Sequence, residues 1–294
     1  MQFRITHTTK YVYRDRVNQS YSEVRLTPNN SKTQICQHKE LSIIPTVHSF
    51  NERTDFFGNI VHTFSICKAH QSLEIVAESN VEVLERIDYS QEVGVSTWQN
   101  LQTQLQKFDP SLLDIRQFKL ASSHVLPTSQ IRDFAMDIFA SEPILLQAVK
   151  KLMQTIFEKF EFKSGSTTIS TPLHEVMRLR KGVCQDFAHV AIGCLRAMGL
   201  AARYVSGYLE TIPPVGKEKL VGADASHAWV SVYIPEYGWV DFDPTNNIFV
   251  NTQHITIGWG RDYADVAPVR GVVYSEGKQQ METSVDVVRI TDGG

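Results

Sequence analysis

The stretch Gly182-Val-Cys-Gln-Asp-Phe-Ala-His189 places a cysteine, Cys184, at the start of a predicted helix. From there to Gly199, apolar residues recur at three- and four-residue steps, and Gly199 suits the left-handed position that ends a helix. The N-terminus of a helix presents unpaired backbone N–H groups and about half a positive charge, which stabilise a thiolate relative to a thiol. Cys184 is therefore the first candidate nucleophile of the chain.

The residue types that a cysteine nucleophile needs follow downstream. These are a histidine that holds the proton and a carboxylate or amide that orients this histidine. They occur in Ser226-His-Ala-Trp-Val-Ser-Val-Tyr233 and Gly238-Trp-Val-Asp-Phe-Asp-Pro-Thr245. We predict that Cys184 attacks a carbonyl carbon and that His227 pairs with the thiolate and then protonates the leaving amine. Asp243 is predicted to accept the other ring N–H of the histidine and to fix its tautomer.

Two features of this predicted site stay open in the sequence. Asp241 and Asp243 are two residues apart and share one face of a strand, so either can meet His227. The two strands are joined by Pro235-Glu-Tyr-Gly238 and are predicted to pair as a hairpin, which brings their far ends together. The free backbone N–H at the helix start is the predicted first oxyanion donor, and the second is open between Gln185 and nearby hydroxyl or indole groups.

The composition of the chain limits its classes of partner. With 294 residues and 42% hydrophobic content, the chain is long enough to bury a sizeable core in about two domains. A formal net charge of -3, from 29 basic and 32 acidic residues, provides no field that recruits nucleic acid or an anionic membrane. We therefore expect a peptide or amide substrate and neither nucleic acid nor a membrane as partner, while the oligomeric state stays open.

The N-terminal residues and the cysteines indicate a cellular compartment. Residues 1–10 lack the apolar run and cleavage site of a secretory signal, and no later stretch has the roughly 18 apolar residues of a membrane span. The four cysteines have no C-x-x-C spacing, which argues against a disulfide framework or zinc ribbon. We therefore expect a cytoplasmic protein, although a bridge between Cys36 and Cys67 stays open.

The chain divides into three parts by pattern. Residues 1–86 contain short alternating runs, such as Asn59-Ile-Val-His-Thr-Phe-Ser-Ile66, and predict an antiparallel β-sandwich. Residues 87–127 have weak periodicity and are predicted to be a connecting segment. Residues 128–294 place helices before strands and are predicted to form a catalytic domain. Together these parts predict an α+β fold.

Five segments match the motifs of one family: Arg180-Lys-Gly-Val-Cys-Gln-Asp-Phe-Ala-His189, Gly199-Leu-Ala-Ala-Arg-Tyr-Val-Ser-Gly-Tyr208, Ala225-Ser-His-Ala-Trp-Val230, Gly238-Trp-Val-Asp-Phe-Asp-Pro-Thr-Asn246 and Gly260-Arg-Asp-Tyr-Ala-Asp-Val-Ala-Pro268. With them the chain resembles a bacterial member of the transglutaminase-like cysteine enzyme superfamily, with an all-β domain before the catalytic core. The resemblance implies a papain-like core in which Cys184, His227 and Asp243, rather than Asp241, form the triad. It also implies chemistry on amide bonds through a thioester, with no metal and no cofactor.

Several functions are compatible with this resemblance. We expect a cysteine peptidase or amidase, and the alternatives are a protein-glutamine transamidase and a non-catalytic binding module on the same fold. Animal transglutaminases of the superfamily use an upstream tryptophan near the oxyanion, but this chain has no tryptophan between Trp98 and Trp229. That departure favours hydrolysis over crosslinking. Three further residues are predicted to be structural: Asp186, His189 and Cys194. Cys184, His189 and Cys194 are too spread around one helix to bind a single zinc ion.

Overall fold

The N-terminal part of the chain alternates buried and exposed side chains, which is the pattern of strands that bury one face. In this computed structural model, which describes residues 1–211, 225–274 and 279–290, it forms six strands. They are β1 (Gln2–Val17), β2 (Ser20–Val24), β3 (Gln34–Ile44), β4 (Ser49–Thr54), β5 (Ile60–Ile66) and β6 (His70–Val83).

The middle of the chain is helical because its apolar residues recur at helical spacing. The fourth helix shows this best, since its buried apolar residues from Leu145 to Ile156 lie in the main hydrophobic core. Two short strands, β7 (Glu161–Phe162) and β8 (Lys181–Gly182), pair in parallel just before the helix that begins at Cys184. The helices are α1 (Trp98–Gln106), α2 (Leu113–Arg116), α3 (Ser129–Phe139), α4 (Leu145–Lys159), α5 (Leu173–Leu179) and α6 (Cys184–Ala197).

The sheet that follows α6 positions the candidate site. Its antiparallel strand order is β12-β11-β10-β9-β13, and α6 packs against β9 and β10. Val230 and Phe242 pair across the β10–β11 hairpin and belong to the core that α6 covers. The remaining elements are β9 (Ala202–Leu209), β10 (Ala225–Ile234), β11 (Gly238–Asp243), β12 (Ile248–Phe249), β13 (His254–Gly260), α7 (Tyr263–Val266), β14 (Val269–Val273) and β15 (Gln279–Arg289).

The last two strands leave the candidate site's sheet and return to the N-terminal strands. They complete two four-stranded antiparallel sheets, with the orders β15-β1-β6-β3 and β14-β2-β5-β4. The β1–β15 ladder runs from the pair Phe3 and Arg289 to the pair Tyr13 and Gln279, so it satisfies backbone groups along most of β1 that would otherwise form an open edge. The domain boundaries at residues 86 and 128 stay a prediction. Within the predicted catalytic domain, however, β14 and β15 belong to the two N-terminal sheets and not to the sheet of residues 202–260.

The predicted fold class is confirmed: an antiparallel β-sandwich precedes a core of helices packed on an antiparallel sheet, which is an α+β architecture. All four cysteines are free thiols, so Cys36 and Cys67 form no bridge. Within the described ranges, no helix is long and apolar enough to cross a bilayer.

Candidate active site

The start of α6 is shaped by a carboxylate that caps the helix. Val183 precedes the helix in extended conformation, and its backbone N–H donates to Oδ2 of Asp186 at 2.8 Å. The Thr167 hydroxyl donates to the same oxygen at 2.7 Å. A Cβ at Gly182 would lie only 2.6 Å from this oxygen, so the position requires glycine. Asp186 therefore holds the turn that presents Cys184, which is the structural role predicted for it.

The β10 strand brings His227 between the candidate nucleophile and the candidate aspartate. Nε2 of His227 lies 2.6 Å from Oδ2 of Asp243, and the imidazole and the Cys184 sulfur line the same crevice, where Cys184 contributes to the raised pKa of His227. Since Nε2 faces the carboxylate, Nδ1 is the ring nitrogen left for the sulfur. The structure thus brings the three residues singled out in the sequence into one continuous chain of contacts.

Close packing behind His227 fixes the position of β10. Gly207 pairs with His227 across the β9–β10 ladder. A Cβ at Gly207 would come within 2.2 Å of the Trp229 ring and 2.3 Å of the backbone oxygen of Ile255. Only a glycine allows the indole and the neighbouring strand to approach this closely. The local sequence Gly207-Tyr208 therefore serves the geometry of the site as well as that of the sheet.

The electrostatics of the pair favour a charged imidazole. Burial lowers the pKa of His227, but hydrogen bonds and charge interactions with Asp243 and Cys184 outweigh burial and raise this pKa to about 10. Burial likewise raises the pKa of Asp243, yet the hydrogen bonds and charge of its neighbours bring that pKa well below its usual range. At neutral pH the pair is therefore imidazolium beside carboxylate, and the positive ring lies against the thiol.

Residues that were not predicted to belong to the site also hold the Asp243 carboxylate. The amide of Asn246 donates to Oδ2 at 2.6 Å, and the backbone N–H groups of Thr245 and Asn246 donate to Oδ1 at 2.9 and 3.3 Å. Nε2 of the buried His254 lies 3.5 Å from Oδ2. The Asp-Pro-Thr-Asn turn is a local signal that could have indicated Asn246, whereas no spacing indicates His254.

The other sequence candidates lie away from the imidazole. Asp241 faces Arg86, whose Nη1 is 3.7 Å from Oδ2 of the carboxylate, so Asp243 is the aspartate that meets His227. His189 is buried and its Nε2 accepts the backbone N–H of Tyr263 at 3.2 Å. Cys194 is fully buried, and burial raises the pKa of its thiol to about 12. These contacts agree with the structural roles predicted for His189 and Cys194.

The same part of the sheet contains a possible set of metal ligands. Among the described residues, one ligand atom from each of His227, Asp243 and His254 lies within 4.8 Å of the others. However, Nε2 of His227 and Oδ2 of Asp243 are 2.6 Å apart, which is a direct hydrogen bond. A metal ion bonded to both atoms at about 2.0–2.2 Å would have to push them apart. The arrangement is therefore that of a hydrogen-bonded dyad.

A crevice of about 280 Å³ opens onto the sulfur and the imidazole. Gln185 and Ser226 line it next to Cys184 and His227, so Gln185 stays a candidate for the second oxyanion donor. The backbone N–H of Cys184 belongs to the first turn of α6, where N–H groups have no partner within the helix. The site therefore combines a thiol, a charged imidazole, a buried carboxylate bonded to that imidazole, and a backbone N–H group without a partner within its helix.

Comparison with known proteins finds a family match in two separate parts of the chain. Residues 3–82 match the family described as the bacterial transglutaminase-like N-terminal region, and residues 132–244 match the transglutaminase-like superfamily. An uncharacterized protein from Mycobacterium tuberculosis is 40% identical over 98% of this chain and 92% of its own length. An uncharacterized protein from Mycobacterium leprae is 30% identical over 98% of this chain and 99% of its own length.

Two further comparisons concern proteins whose names carry an activity. A protein-glutamine gamma-glutamyltransferase from Pseudomonas aeruginosa is 40% identical over 70 residues, which are 24% of this chain and 10% of that protein. Among solved structures, a candidate cysteine protease from Cytophaga hutchinsonii matches with a TM-score of 0.78 at 21% identity, over 99% of this chain and 92% of that chain. The second comparison shows a shared fold.

Proposed function

Because this chain belongs to the bacterial branch of the transglutaminase-like superfamily, we propose that it is a thiol-dependent enzyme that cleaves amide bonds of a peptide or other amide substrate. Cys184 is the proposed nucleophile, His227 the proton carrier and Asp243 the orienting carboxylate. The observation that carries the proposal is the position of the imidazole, which shares a crevice with the Cys184 sulfur and lies 2.6 Å from a buried carboxylate.

The proposed reaction has two halves. The Cys184 thiolate attacks the carbonyl carbon of the substrate, and the backbone N–H at the start of α6 stabilises the negative oxygen that forms. The His227 imidazolium then gives its proton to the leaving nitrogen, so that the C–N bond breaks and an acyl thioester remains. In the second half His227 takes a proton from water and the resulting hydroxide attacks the thioester. The C–S bond then breaks, which releases the carboxylic acid and regenerates the Cys184 thiolate beside the His227 imidazolium.

Asp243 keeps the His227 imidazole in one orientation while protons move on and off the ring. Its carboxylate accepts the Nε2 proton of His227, which leaves Nδ1 facing the sulfur in every step. Because Asp243 is fully buried and also bonded by Asn246 and two backbone N–H groups, it cannot rotate away when the imidazole loses its charge. The imidazole therefore returns to the same hydrogen bonds after each turnover.

Thiol reactivity tests this proposal against a non-catalytic binding module. We expect iodoacetamide at neutral pH to alkylate Cys184 at least about ten times faster than exposed Cys67. His227→Ala should remove most of this difference, and site-resolved mass spectrometry measures both rates in one sample. If Cys184 reacts no faster than Cys67 and His227→Ala changes nothing, the activated pair does not exist and the fold serves binding.

Transamidation is the second candidate, and the short match to a protein-glutamine gamma-glutamyltransferase favours keeping it. The two reactions share the thioester and differ in whether water or an amine attacks it. A peptide library incubated with an added primary amine separates them by mass spectrometry of the products. We expect free acids as the main product, and exclusive formation of amine adducts would replace hydrolysis with transamidation.

A further inference from the structure

One wall of the crevice comes from strands at the two ends of the chain. Thr9 and Tyr11 of β1 and Met281 and Thr283 of β15 line the same cavity as Cys184. In the β1–β15 ladder Thr9 pairs with Thr283, and Tyr11 pairs with Met281. These two pairs are separated by one pair that points to the opposite face, so all four side chains lie on the face of the sheet that lines the crevice. We call these four residues the strand wall.

The strand wall is tied to the sheet that carries His227. His7, which precedes it on β1, is buried and its Nδ1 lies 2.9 Å from the Tyr208 hydroxyl of β9. Nε2 of the same ring lies 3.0 Å from Oγ1 of Thr9. Burial lowers the pKa of His7 to about 4, so the ring is neutral and adds no charge to the crevice. This buried link fixes the distance between the strand wall and the site.

The chemistry of the lining is that of an uncharged, partly aromatic surface. Apart from the candidate triad, the described residues that line the cavity carry no acidic or basic side chain other than neutral His7. Tyr11 and Met281 contribute an aromatic and a thioether surface, and Met281 is 57% exposed, so a ligand can reach it. Away from the His227 imidazolium, a charged group in such a crevice would lose water without gaining a counter-ion.

The size of the crevice agrees with a small recognised group. Its volume of about 280 Å³ lies just below the roughly 300–1,000 Å³ that is usual for small-molecule sites. One side chain or a short acyl group fits in this space. Residues of β1 and β15 line this space, so the N-terminal sheet contributes directly to the crevice beside Cys184.

Building on the proposed function, we propose that the strand wall is the specificity surface of the enzyme and selects substrates that carry an uncharged apolar or aromatic group next to the scissile amide. The N-terminal β domain is then part of the substrate site, with Tyr11 and Met281 as its contact residues. β15 takes part because only the paired ladder places Met281 beside Tyr11.

Alkylation by reagents of different charge measures this selection directly. Three iodoacetamides substituted on nitrogen with a benzyl, a carboxymethyl or a trimethylammonioethyl group each form a C–S bond and release iodide. Exposed Cys67 in the same chain reports the intrinsic reactivity of each reagent. We expect the ratio of the Cys184 rate to the Cys67 rate to be about tenfold higher for the benzyl reagent than for either charged reagent.

Two variants and two matched controls assign this preference to the strand wall. Tyr11→Ala should lower the benzyl preference at least about fivefold, and Met281→Glu should shift it toward the cationic reagent by about tenfold. Val12→Ala and Gln280→Glu change the next cross-strand pair, which points to the other face of the sheet and does not line the crevice. Both controls should keep the preference of the unchanged protein.

The outcomes separate this proposal from the proposed function. If the three reagents give the same ratio, or if Gln280→Glu shifts the preference as much as Met281→Glu, the strand wall does not select the substrate. If unsubstituted iodoacetamide alkylates Cys184 no faster than Cys67, the proposed function is contradicted instead, because Cys184 is then not an activated thiol. The ratios among the reagents are measured in either case, and Met281→Glu changes an exposed position, so the test does not depend on a buried substitution that unfolds the protein.

Discussion

Helix α6 carries two cysteines in opposite environments, one in its first turn and one in its middle. Cys184 lies at the crevice, where it is partly exposed and shares the lining with the imidazole of His227. Cys194 is fully buried between the sheet and the neighbouring helices, and burial raises the pKa of its thiol to about 12. The residue type and the helix are the same, so the surroundings alone decide whether the sulfur is a reagent or a packing atom.

The largest expected effect comes from removing each sulfur in turn. Cys184→Ala should lower turnover at least about a thousandfold, because the thioester cannot form. Cys194→Ala should leave turnover near its original value but destabilise the protein by about 1–2 kcal/mol through the cavity it creates. Turnover with an active peptide and urea unfolding of both variants check this.

Either of two results would contradict this contrast between Cys184 and Cys194. Substantial turnover in Cys184→Ala would remove the nucleophile from the first turn of α6. A loss of turnover in Cys194→Ala without a matching loss of stability would mean that the middle of the helix takes part in the chemistry.

A second, smaller effect tests which aspartate orients the imidazole beside Cys184. Asp243→Asn should lower turnover about 10²- to 10⁴-fold, because the amide no longer holds the imidazolium and its tautomer. Asp241→Asn is the matched control on the same strand and should change turnover by less than about threefold, since its carboxylate contacts Arg86 rather than the imidazole. Steady-state kinetics of both variants measure the difference, and equal losses would show that the orienting residue is misassigned.

The smallest expected effect concerns stability and pH. The pKa of His227 is raised to about 10 in the folded protein, above the value of about 6.5 expected in the unfolded chain. The folded state therefore binds the proton more tightly, and this contribution is present below about pH 6.5 and is lost as pH rises through about 10. His227→Gln should reduce the loss of unfolding free energy between pH 6 and pH 10 by about 1 kcal/mol or more.

Urea titrations at the two pH values measure this change. His48→Gln, which changes an exposed histidine, is the matched control and should lose the same stability between pH 6 and pH 10 as the unchanged protein. If His227→Gln also loses as much as the unchanged protein, the imidazole does not carry the extra proton, and the first turn of α6 lacks the charge that separates Cys184 from Cys194.

Local sequence patterns predicted much of the fold because they depend on neighbours in the chain. The helix from Cys184 to the turn at Gly199 and the β10–β11 hairpin both follow from spacing within short segments. The α+β class follows from the order of these segments. The N-terminal sandwich was predicted from alternation alone, since a strand with one buried face repeats every second residue.

The sequence by itself determined which chemistry is available: a cysteine at a helix start, followed by a histidine and an aspartate at strand ends. Only the tertiary structure decided that Asp243 meets the imidazole while Asp241 meets Arg86, that His254 approaches the same carboxylate, and that β15 returns to β1 to line the crevice. These contacts join residues far apart in the chain, and the strand period leaves Asp241 and Asp243 on one face. Their choice depends on packing between elements, which no local spacing encodes.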